Sequence, residues 1–235
     1  MKLLLLSNSS NAGEPYLLYP LAYIQRFLGD LQVKALFIPY AAVTISFDEY
    51  ERKVKERFQE IGHDLISIHH FKNPLEAVSQ AKAIVVGGGN TFHLLHLLQK
   101  NDLISVVREK ILNGTLYIGW SAGSNITCPT ICTTNDMPIV ETDGLKAFNL
   151  IPFQINPHYN DFVPVGFAGE TRDERISEYL NANPTRTVVG LREGTMFYLE
   201  NKILKLFGPH KAKIFRMNEI PYELGEKDDF SFLLN

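Results

Sequence analysis

Short runs of apolar residues alternate with longer amphipathic stretches over the first 120 positions of the chain. The runs, each ending in a polar or glycine-rich turn, are Leu3–Leu6, Val33–Ile38, Leu65–Ile68, Ala83–Val86 and Leu116–Ile118. Between them the spacing predicts helices at about 16–28, 47–61, 75–81, 91–99 and 102–112. Apolar strands that are each followed by a helix are typical of a parallel sheet covered on both faces. The pattern therefore predicts an α/β fold with a doubly wound, mostly parallel sheet.

The pattern becomes less regular after residue 125. Prolines at 129, 138, 152, 157 and 164 interrupt it, before a helix predicted near 172–181 and strands predicted near 187–190, 196–199, 202–207 and 213–216. The sequence contains no linker-like segment and no internal repeat. We therefore expect residues 1–235 to form a single domain.

Ligands bind to folds of this class beyond the carboxyl ends of the strands, where the following loops converge. Four loops hold that position here: Ser7–Gly13, Pro39–Thr44, Gly87–Thr91 and Gly119–Gly123. The last two have the most unusual composition, so we expect the functional residues to lie in and around them.

Composition excludes several classes of protein. The chain is 45% hydrophobic and 21% charged, which is typical of a large buried core and not of a disordered protein. Its net charge of −3 and the lack of a basic stripe argue against a nucleic-acid partner. No apolar stretch approaches the ~18 residues that span a bilayer, and the N-terminal apolar run is too short for a signal peptide. The two cysteines, Cys128 and Cys132, are too few for a disulfide framework, which fits a reducing cytosol. We therefore expect a soluble, cytoplasmic protein with no membrane association.

The clearest chemical signal is the Gly-x-Ser-x-Gly motif at Gly119–Gly123, between an apolar strand and a predicted helix. In this setting a sharp turn lifts the Ser121 hydroxyl above the sheet and directs the N–H of Ala122 toward a developing oxyanion. This interpretation makes Ser121 a nucleophile. The alternative is a tight turn in which Ser121 only caps the helix.

Three consecutive glycines, Gly87–Gly89, follow another apolar strand. Without Cβ atoms, the N–H groups of such a loop can approach a ligand, so the loop would supply a second oxyanion donor beside Ser121. A phosphate site is disfavoured because no Gly-Lys-Ser/Thr follows and Phe92 stands where a dinucleotide motif needs glycine. A purely structural turn is the remaining alternative.

A serine nucleophile needs a base, and His158 is the most suitably placed of the seven histidines. The sequence predicts that His158 lies in a loop directly after Pro157, where an apolar run ends. Proline restricts the backbone of this loop and would hold the imidazole rigidly. Two carboxylates are candidates for orienting the imidazole. Glu193 is favoured because it follows a predicted core strand, whereas Asp136, which lies between serine and histidine in the chain, is also a typical turn residue.

Thr171 and Glu174 form a capping box, which predicts that a helix begins here. Arg172 then lies in the first turn, where the helix dipole disfavours a cation. A nearby anion such as a substrate carboxylate would rationalise the position. Alternatively, the arginine is exposed and its charge is offset by Glu170 and Asp173.

Two pairs of residues have spacings that metal ligands also show, His93 with His96 and Cys128 with Cys132. The histidines lack the glutamate of a His-Glu-x-x-His motif, and the cysteines lack a second ligand pair. Structural roles are therefore favoured for both, and the sequence predicts no metal and no cofactor.

Several longer blocks together resemble a known family. They are Leu3–Ser9, Phe37–Ala41, Gly87–Phe92, Tyr117–Gly123, Cys128–Thr130, Thr133–Val140, Gln154–His158 and Gly169–Arg172. They look like peptidase E, the α-aspartyl dipeptidases of the S51 serine peptidases, and the resemblance covers essentially the whole chain. It implies a fold related to class I glutamine amidotransferases and a cytosolic enzyme that hydrolyses Asp-Xaa dipeptides.

The resemblance also implies roles for individual residues. Ser121 would attack with His158 as base, and the oxyanion hole would be formed by the N–H groups of Gly89 and Ala122. Arg172 would pair with the aspartyl carboxylate of the substrate, with Asn90 nearby. The family's third catalytic residue has been matched to the positions of both Asp136 and Glu193, so both stay open.

Two other hypotheses remain at this stage. One is a cyanophycinase-like peptidase of the same fold that cleaves β-aspartyl bonds, and the other is a noncatalytic protein whose glycine loops bind an anionic metabolite. A glutamine amidotransferase is disfavoured because that chemistry needs a cysteine where Ser121 stands. The sequence makes no prediction about oligomeric state.

Overall fold

The fold is built on a seven-stranded sheet that contains five parallel strands. The structure is a computed structural model that describes residues 1–166 and 168–235. The parallel strands are β1 (Lys2–Leu6), β2 (Lys34–Ile38), β3 (Asp64–Ser67), β4 (Ala83–Val86) and β5 (Leu116–Trp120), in the order β3-β2-β4-β5-β1. Beside β1 lies an antiparallel hairpin, β8 (Met196–Glu200) and β9 (Ile203–Phe207). The prediction of an α/β fold with a mostly parallel sheet is confirmed.

Apolar side chains point alternately to the two faces of this sheet, and each face has its own core. Leu3 and Leu5 belong to one cluster of buried residues, whereas Leu4 and Leu6 belong to the other. All four side chains are fully buried. Because successive residues of a strand face opposite sides, only a sheet covered on both faces requires an unbroken apolar run.

Seven α-helices connect the strands, and most begin and end where the sequence predicts. They are α1 (Leu21–Leu28), α2 (Phe47–Glu60), α3 (Pro74–Gln80), α4 (Thr91–Lys100), α5 (Leu103–Leu112), α6 (Ala122–Asn125) and α7 (Arg172–Ala182), among the residues described. No helix in this part of the chain is both long and apolar enough to span a membrane. The capping box that the sequence predicts at Thr171 and Glu174 is present at the start of α7.

The predicted start of the first helix at residue 16 is wrong. Helix α1 begins at Leu21, after turns in which Leu17 has a φ of 53°. Pro20 explains the difference, because the residue before a proline, here Tyr19, avoids the helical conformation. Tyr16 therefore lies in a loop outside the helix, and it lines a cavity that Ser121 also lines.

A second, four-stranded sheet holds the rest of the later strands, a division that the sequence pattern did not predict. It consists of β6 (Gln154–Tyr159), β7 (Thr187–Arg192), β10 (Ala212–Arg216) and β11 (Tyr222–Leu224), in the order β11-β10-β7-β6. Strands β6 and β7 are parallel, so they end on the same side of this sheet. Ile155, Val189 and Ile214 share a buried cluster with Leu3 and Leu5 of the main sheet. One face of the second sheet therefore packs against one face of the main sheet, with a shared core between them.

Candidate active site

Ser121 lies in the sharp turn between β5 and α6. Its φ of 53° and ψ of −113° are unusual for a residue with a side chain, a form of strain that concentrates at functional sites. The flanking glycines allow the turn to pack closely. A Cβ on Gly119 would lie 2.2 Å from the carbonyl oxygen of Gly123, and one on Gly123 would lie 2.1 Å from that of Val86. The motif therefore meets a steric requirement as well as carrying the serine.

A series of hydrogen bonds joins Ser121, His158 and Glu193. Nε2 of His158 lies 2.8 Å from Oγ of Ser121, and Nδ1 lies 2.6 Å from Oε1 of Glu193. With its proton on Nδ1, the imidazole donates to the carboxylate and presents the Nε2 lone pair to the hydroxyl. Such an arrangement can remove the hydroxyl proton as the serine attacks a carbonyl carbon.

His158 lies within strand β6, not in the loop that the sequence predicts. The pairing of β6 with β7 shifts register between Asn156 and Tyr159, which marks a β-bulge around His158. His158 has a φ of 52°, and its N–H donates to Oγ of Ser7 over 2.9 Å. Ser7 in turn donates to the carbonyl of Leu191 over 2.7 Å. The bulge directs the imidazole toward Ser121, and Ser7 ties it to both sheets.

The two carboxylates that the sequence left open have different surroundings. Oδ2 of Asp136 accepts from the N–H of Thr91 over 2.7 Å, from the Thr91 hydroxyl over 2.6 Å and from the Thr134 hydroxyl over 3.0 Å. Asp136 therefore lies at the N-terminus of α4, where the helix dipole favours a negative charge. Glu193 directly follows β7 and is the carboxylate bonded to His158.

The glycine loop after β4 lies directly against the serine turn. A Cβ on Gly88 would come within 3.0 Å of the Ser121 Cβ, and one on Gly89 would lie 2.2 Å from the carbonyl oxygen of Ala41. The N–H of Ala122 is at the start of α6, where helices leave such groups unpaired. Within residues 1–166 and 168–235, neither Ala122 N–H nor Gly89 N–H has a protein acceptor. Neither N–H group is therefore used in a hydrogen bond within the described chain.

Arg172 and Asn90, the two residues proposed to bind substrate, are in different situations. Nδ2 of Asn90 donates to the carbonyl of Met137 over 2.9 Å, and Oδ1 accepts from the N–H of His93 over 3.0 Å, so the side chain caps α4. Arg172 lines a pocket of about 440 Å³ together with His158 and Glu193. Partial burial, and to a lesser extent Arg175, lower the pKa of Arg172, although an arginine remains a cation. Arg172 forms no ion pair with any residue that the structure describes.

Two asparagines that the sequence reasoning missed help to position these side chains. Asn135 accepts a hydrogen bond from Arg172 and donates to the carbonyl of Pro157 over 2.7 Å, so it links the arginine to the residue before His158. Asn8 accepts from the N–H of Gly194 over 2.8 Å and so holds the turn that carries Glu193. Both lie in segments already recognised, the loop after β1 and the Thr133–Val140 block, but their contacts cross between distant parts of the chain.

A buried hydroxyl, that of Tyr50 on α2, supports the glycine loop. It donates to the carbonyl of Gly88 over 3.0 Å and lies 3.1 Å from Nε1 of Trp120 and 3.2 Å from the Tyr16 hydroxyl, each of which donates to it. A hydroxyl has one proton and two lone pairs, so its capacity is fully used. Burial raises the pKa of Tyr50 to about 12.

We expect Tyr50→Phe to lower the free energy of unfolding by about 1–3 kcal/mol, because buried groups of Trp120 and Gly88 would lose their partner. Urea unfolding followed by tryptophan fluorescence would measure this directly, since Trp120 is the only tryptophan in the sequence. Tyr198→Phe is a matched control, because the Tyr198 hydroxyl bonds to the partly exposed carboxylate of Glu200. Equal stability of Tyr50→Phe and the wild type would contradict this role.

Four side chains apart from the candidate catalytic residues form the one group, among the residues described, that could hold a metal ion. They are Asp48, Glu51, His69 and His70, whose ligand atoms all lie within 4.8 Å of one another. Each histidine bonds to a carboxylate: His69 to Asp48 over 2.9 Å and His70 to Glu51 over 2.5 Å. The pairs join the first two turns of α2 to the segment after β3.

The two histidines with metal-like spacing in the sequence each bond to a different backbone carbonyl, and the two cysteines do not form a disulfide. Nδ1 of His93 lies 2.7 Å from the carbonyl oxygen of Tyr40, and Nδ1 of His96 lies 2.8 Å from that of Glu141. Cys128 and Cys132 are free thiols, the first buried and the second exposed. Each histidine therefore links α4 to a neighbouring loop through a backbone carbonyl.

Comparison with known proteins identifies the family of the chain. The model of peptidase family S51 matches residues 3–207. Peptidase E of Nostoc sp. (strain PCC 7120) is 48% identical over 233 residues, which are 99% of this chain and 96% of the relative. Peptidase E of Shewanella sp. (strain MR-4) is 43% identical over 233 residues, 98% of each chain. The crystal structure of a peptidase from an acI-B1 actinobacterium has the same fold, with a TM-score of 0.73 at 19% identity, covering 98% of this chain and 96% of that one. The resemblance noted in the sequence blocks is thus confirmed, and the chain belongs to peptidase family S51.

Proposed function

We propose that this peptidase is a serine-type dipeptidase that hydrolyses dipeptides with an N-terminal aspartate. The observation that carries the proposal is the hydrogen-bonded series Ser121, His158 and Glu193, with the unpaired cation of Arg172 in the adjoining pocket. The two relatives named peptidase E, aligned over nearly their whole length, support a peptidase activity.

In the proposed mechanism, Oγ of Ser121 attacks the carbonyl carbon of the aspartyl residue while Nε2 of His158 takes the hydroxyl proton. Glu193 accepts from Nδ1, which keeps the imidazole in the required tautomer and stabilises its cation. The N–H groups of Gly89 and Ala122 would bind the oxyanion of the tetrahedral intermediate. His158 then protonates the departing amine, leaving an acyl-enzyme on Ser121. A water molecule, deprotonated by His158, hydrolyses this ester and releases aspartate.

Arg172 would provide the preference for aspartate. A guanidinium makes charge-assisted, often paired hydrogen bonds with a carboxylate, and the neutral amide of asparagine cannot replace that interaction. Asn135 fixes one end of the guanidinium and connects it to the backbone before His158. The guanidinium of Arg172 and the imidazole of His158 would therefore keep a constant distance from each other.

The proposal is tested by comparing kcat/KM for Asp-Leu, its β-linked isomer and Asn-Leu in the wild type and in Arg172→Met. We expect the wild type to prefer α-linked Asp-Leu. Arg172→Met should lower kcat/KM for Asp-Leu by about 10- to 100-fold, the cost of losing hydrogen bonds to a charged group. The value for Asn-Leu should change little. Arg175→Met is the control, because Arg175 is exposed on the same helix and its nearest carboxylate, Glu170, is 3.7 Å away.

Two results would contradict the proposal. Preference for the β-linked isomer would identify a β-aspartyl peptidase of the same fold. An equal loss on all three substrates in Arg172→Met would mean that the arginine supports the fold and does not select aspartate.

A further inference from the structure

A second cavity opens beside Ser121, separate from the pocket of Arg172. It has a volume of about 670 Å³, within the roughly 300–1,000 Å³ common for sites that bind small ligands. Ser121, Gly88 and Gly89 line it, and His158 borders both this cavity and the Arg172 pocket. If the aspartyl side chain occupies the Arg172 pocket, the residue that leaves with the amine must occupy the larger cavity.

One cation, that of Lys53, lines this larger cavity. Lys53 is three residues after Tyr50 on α2, a spacing that places both side chains on the same face of the helix. Its Nζ lies 4.2 Å from the centre of the Tyr16 ring. That ring is in turn packed edge-on against Tyr50 and Trp120. The aromatic wall therefore holds the ammonium group at the cavity.

The charge of Lys53 is not offset by a neighbouring carboxylate. In the part of the chain that the structure describes, Lys53 forms no ion pair, whereas Lys55 on the same helix pairs with Asp64 over 3.3 Å. Asp136 also lines the cavity, but its carboxylate accepts hydrogen bonds from Thr91 and Thr134. The cavity thus offers an unpaired positive charge to a ligand.

Apolar side chains surround the same cavity. Val43, Ile45 and Ile139 line it and are 52%, 37% and 48% exposed. A ligand that covered them with an apolar side chain would remove this surface from water, which is favourable by roughly 25 cal/mol for each Å² buried. The lining therefore fits a ligand that combines an apolar group with an anion.

We propose that Lys53 binds the C-terminal carboxylate of the substrate and so limits efficient cleavage to dipeptides, with an apolar residue preferred after aspartate. The inference rests on the proposed function, which places the scissile bond at Ser121. In Asp-Xaa the residue after the scissile bond carries the free carboxylate, whereas in a longer peptide or an amide the same position is neutral. Lys53 and Arg172 would then neutralise the two carboxylates of the substrate on opposite sides of the serine.

The test compares kcat/KM for Asp-Leu and Asp-Leu-amide in the wild type, Lys53→Met and Lys55→Met. Methionine keeps most of the apolar stem of lysine and lacks the charged ammonium group. We expect the wild type to favour Asp-Leu over the amide by about 10-fold or more, the value of a charge-assisted hydrogen bond. Lys53→Met should remove that preference by lowering the value for Asp-Leu alone. Lys55→Met should behave as the wild type, since its surface ion pair contributes little.

A second measurement separates this proposal from the proposed function. Binding of Asp-Leu and Asp-Leu-amide to the Ser121→Ala protein, measured by calorimetry, reports recognition without turnover. The role of Lys53 is wrong, and the dipeptidase assignment stands, in two cases in which the wild type cleaves Asp-Leu. In the first, Lys53→Met loses activity on Asp-Leu and on Asp-Leu-amide equally. In the second, the wild type cleaves Asp-Leu and Asp-Leu-amide with equal kcat/KM. If the wild type cleaves neither compound, the dipeptidase assignment fails. Equal affinity of the Ser121→Ala protein for Asp-Leu and Asp-Leu-amide would overturn the role of Lys53 as well.

Discussion

Replacing Ser121 by alanine should lower kcat for Asp-Leu by at least about 10,000-fold, because the acyl-enzyme cannot form without the hydroxyl. His158→Ala should have a loss of similar size, and the double variant should be no worse than either single one, since serine and histidine act in the same step. Steady-state kinetics with purified proteins would measure all three.

A control is needed for loss of structure. Ser79→Ala removes a hydroxyl from the exposed face of α3, where Ser79 bonds to the carbonyl of Glu76, and should leave kcat unchanged. Thermal unfolding of Ser121→Ala should remain close to that of the wild type. Hydrolysis of Asp-Leu by folded Ser121→Ala protein at the wild-type rate would rule out the serine mechanism.

Glu193→Gln should have the second largest effect and should lower kcat by about 100- to 10,000-fold. An amide at this position no longer fixes the proton on Nδ1 of His158, and it does not stabilise the imidazolium that forms during the reaction. The loss should fall at the lower end of this range if solvent partly replaces the carboxylate, because the Glu193 side chain is 56% exposed. Single-turnover kinetics would show whether the chemical step is the one that slows.

Asp136→Asn provides the matched comparison for Glu193→Gln. It removes a charge that accepts from the first N–H of α4 and from two threonine hydroxyls, so we expect a loss of about 1–2 kcal/mol in the free energy of unfolding. Its kcat should change much less than that of Glu193→Gln. The reverse ranking of the two kcat values would assign the orienting role to Asp136.

The sequence predicted the main sheet well because the signal is local. A strand buried on both faces must be apolar at every position, as Leu3–Leu6 and Ala83–Val86 are. The same reasoning failed at residue 16, where the apolar spacing continues but Pro20 delays the helix to Leu21. It also did not separate the later strands into two sheets, because the apolar pattern of a strand does not specify its neighbour.

The sequence by itself determined the doubly wound fold, the serine turn, the glycine loop beside it and the family to which the chain belongs. Each of these depends on residues adjacent in the chain, whose backbone requirements are visible in the order of the amino acids. Only the tertiary structure decided which carboxylate bonds to His158, because Ser121, His158 and Glu193 are separated by 37 and 35 residues and meet through the packing of two sheets. It likewise placed Lys53 on the wall of the cavity that Ser121 also lines, since a charged residue on an amphipathic helix carries no sign of the cavity that it lines.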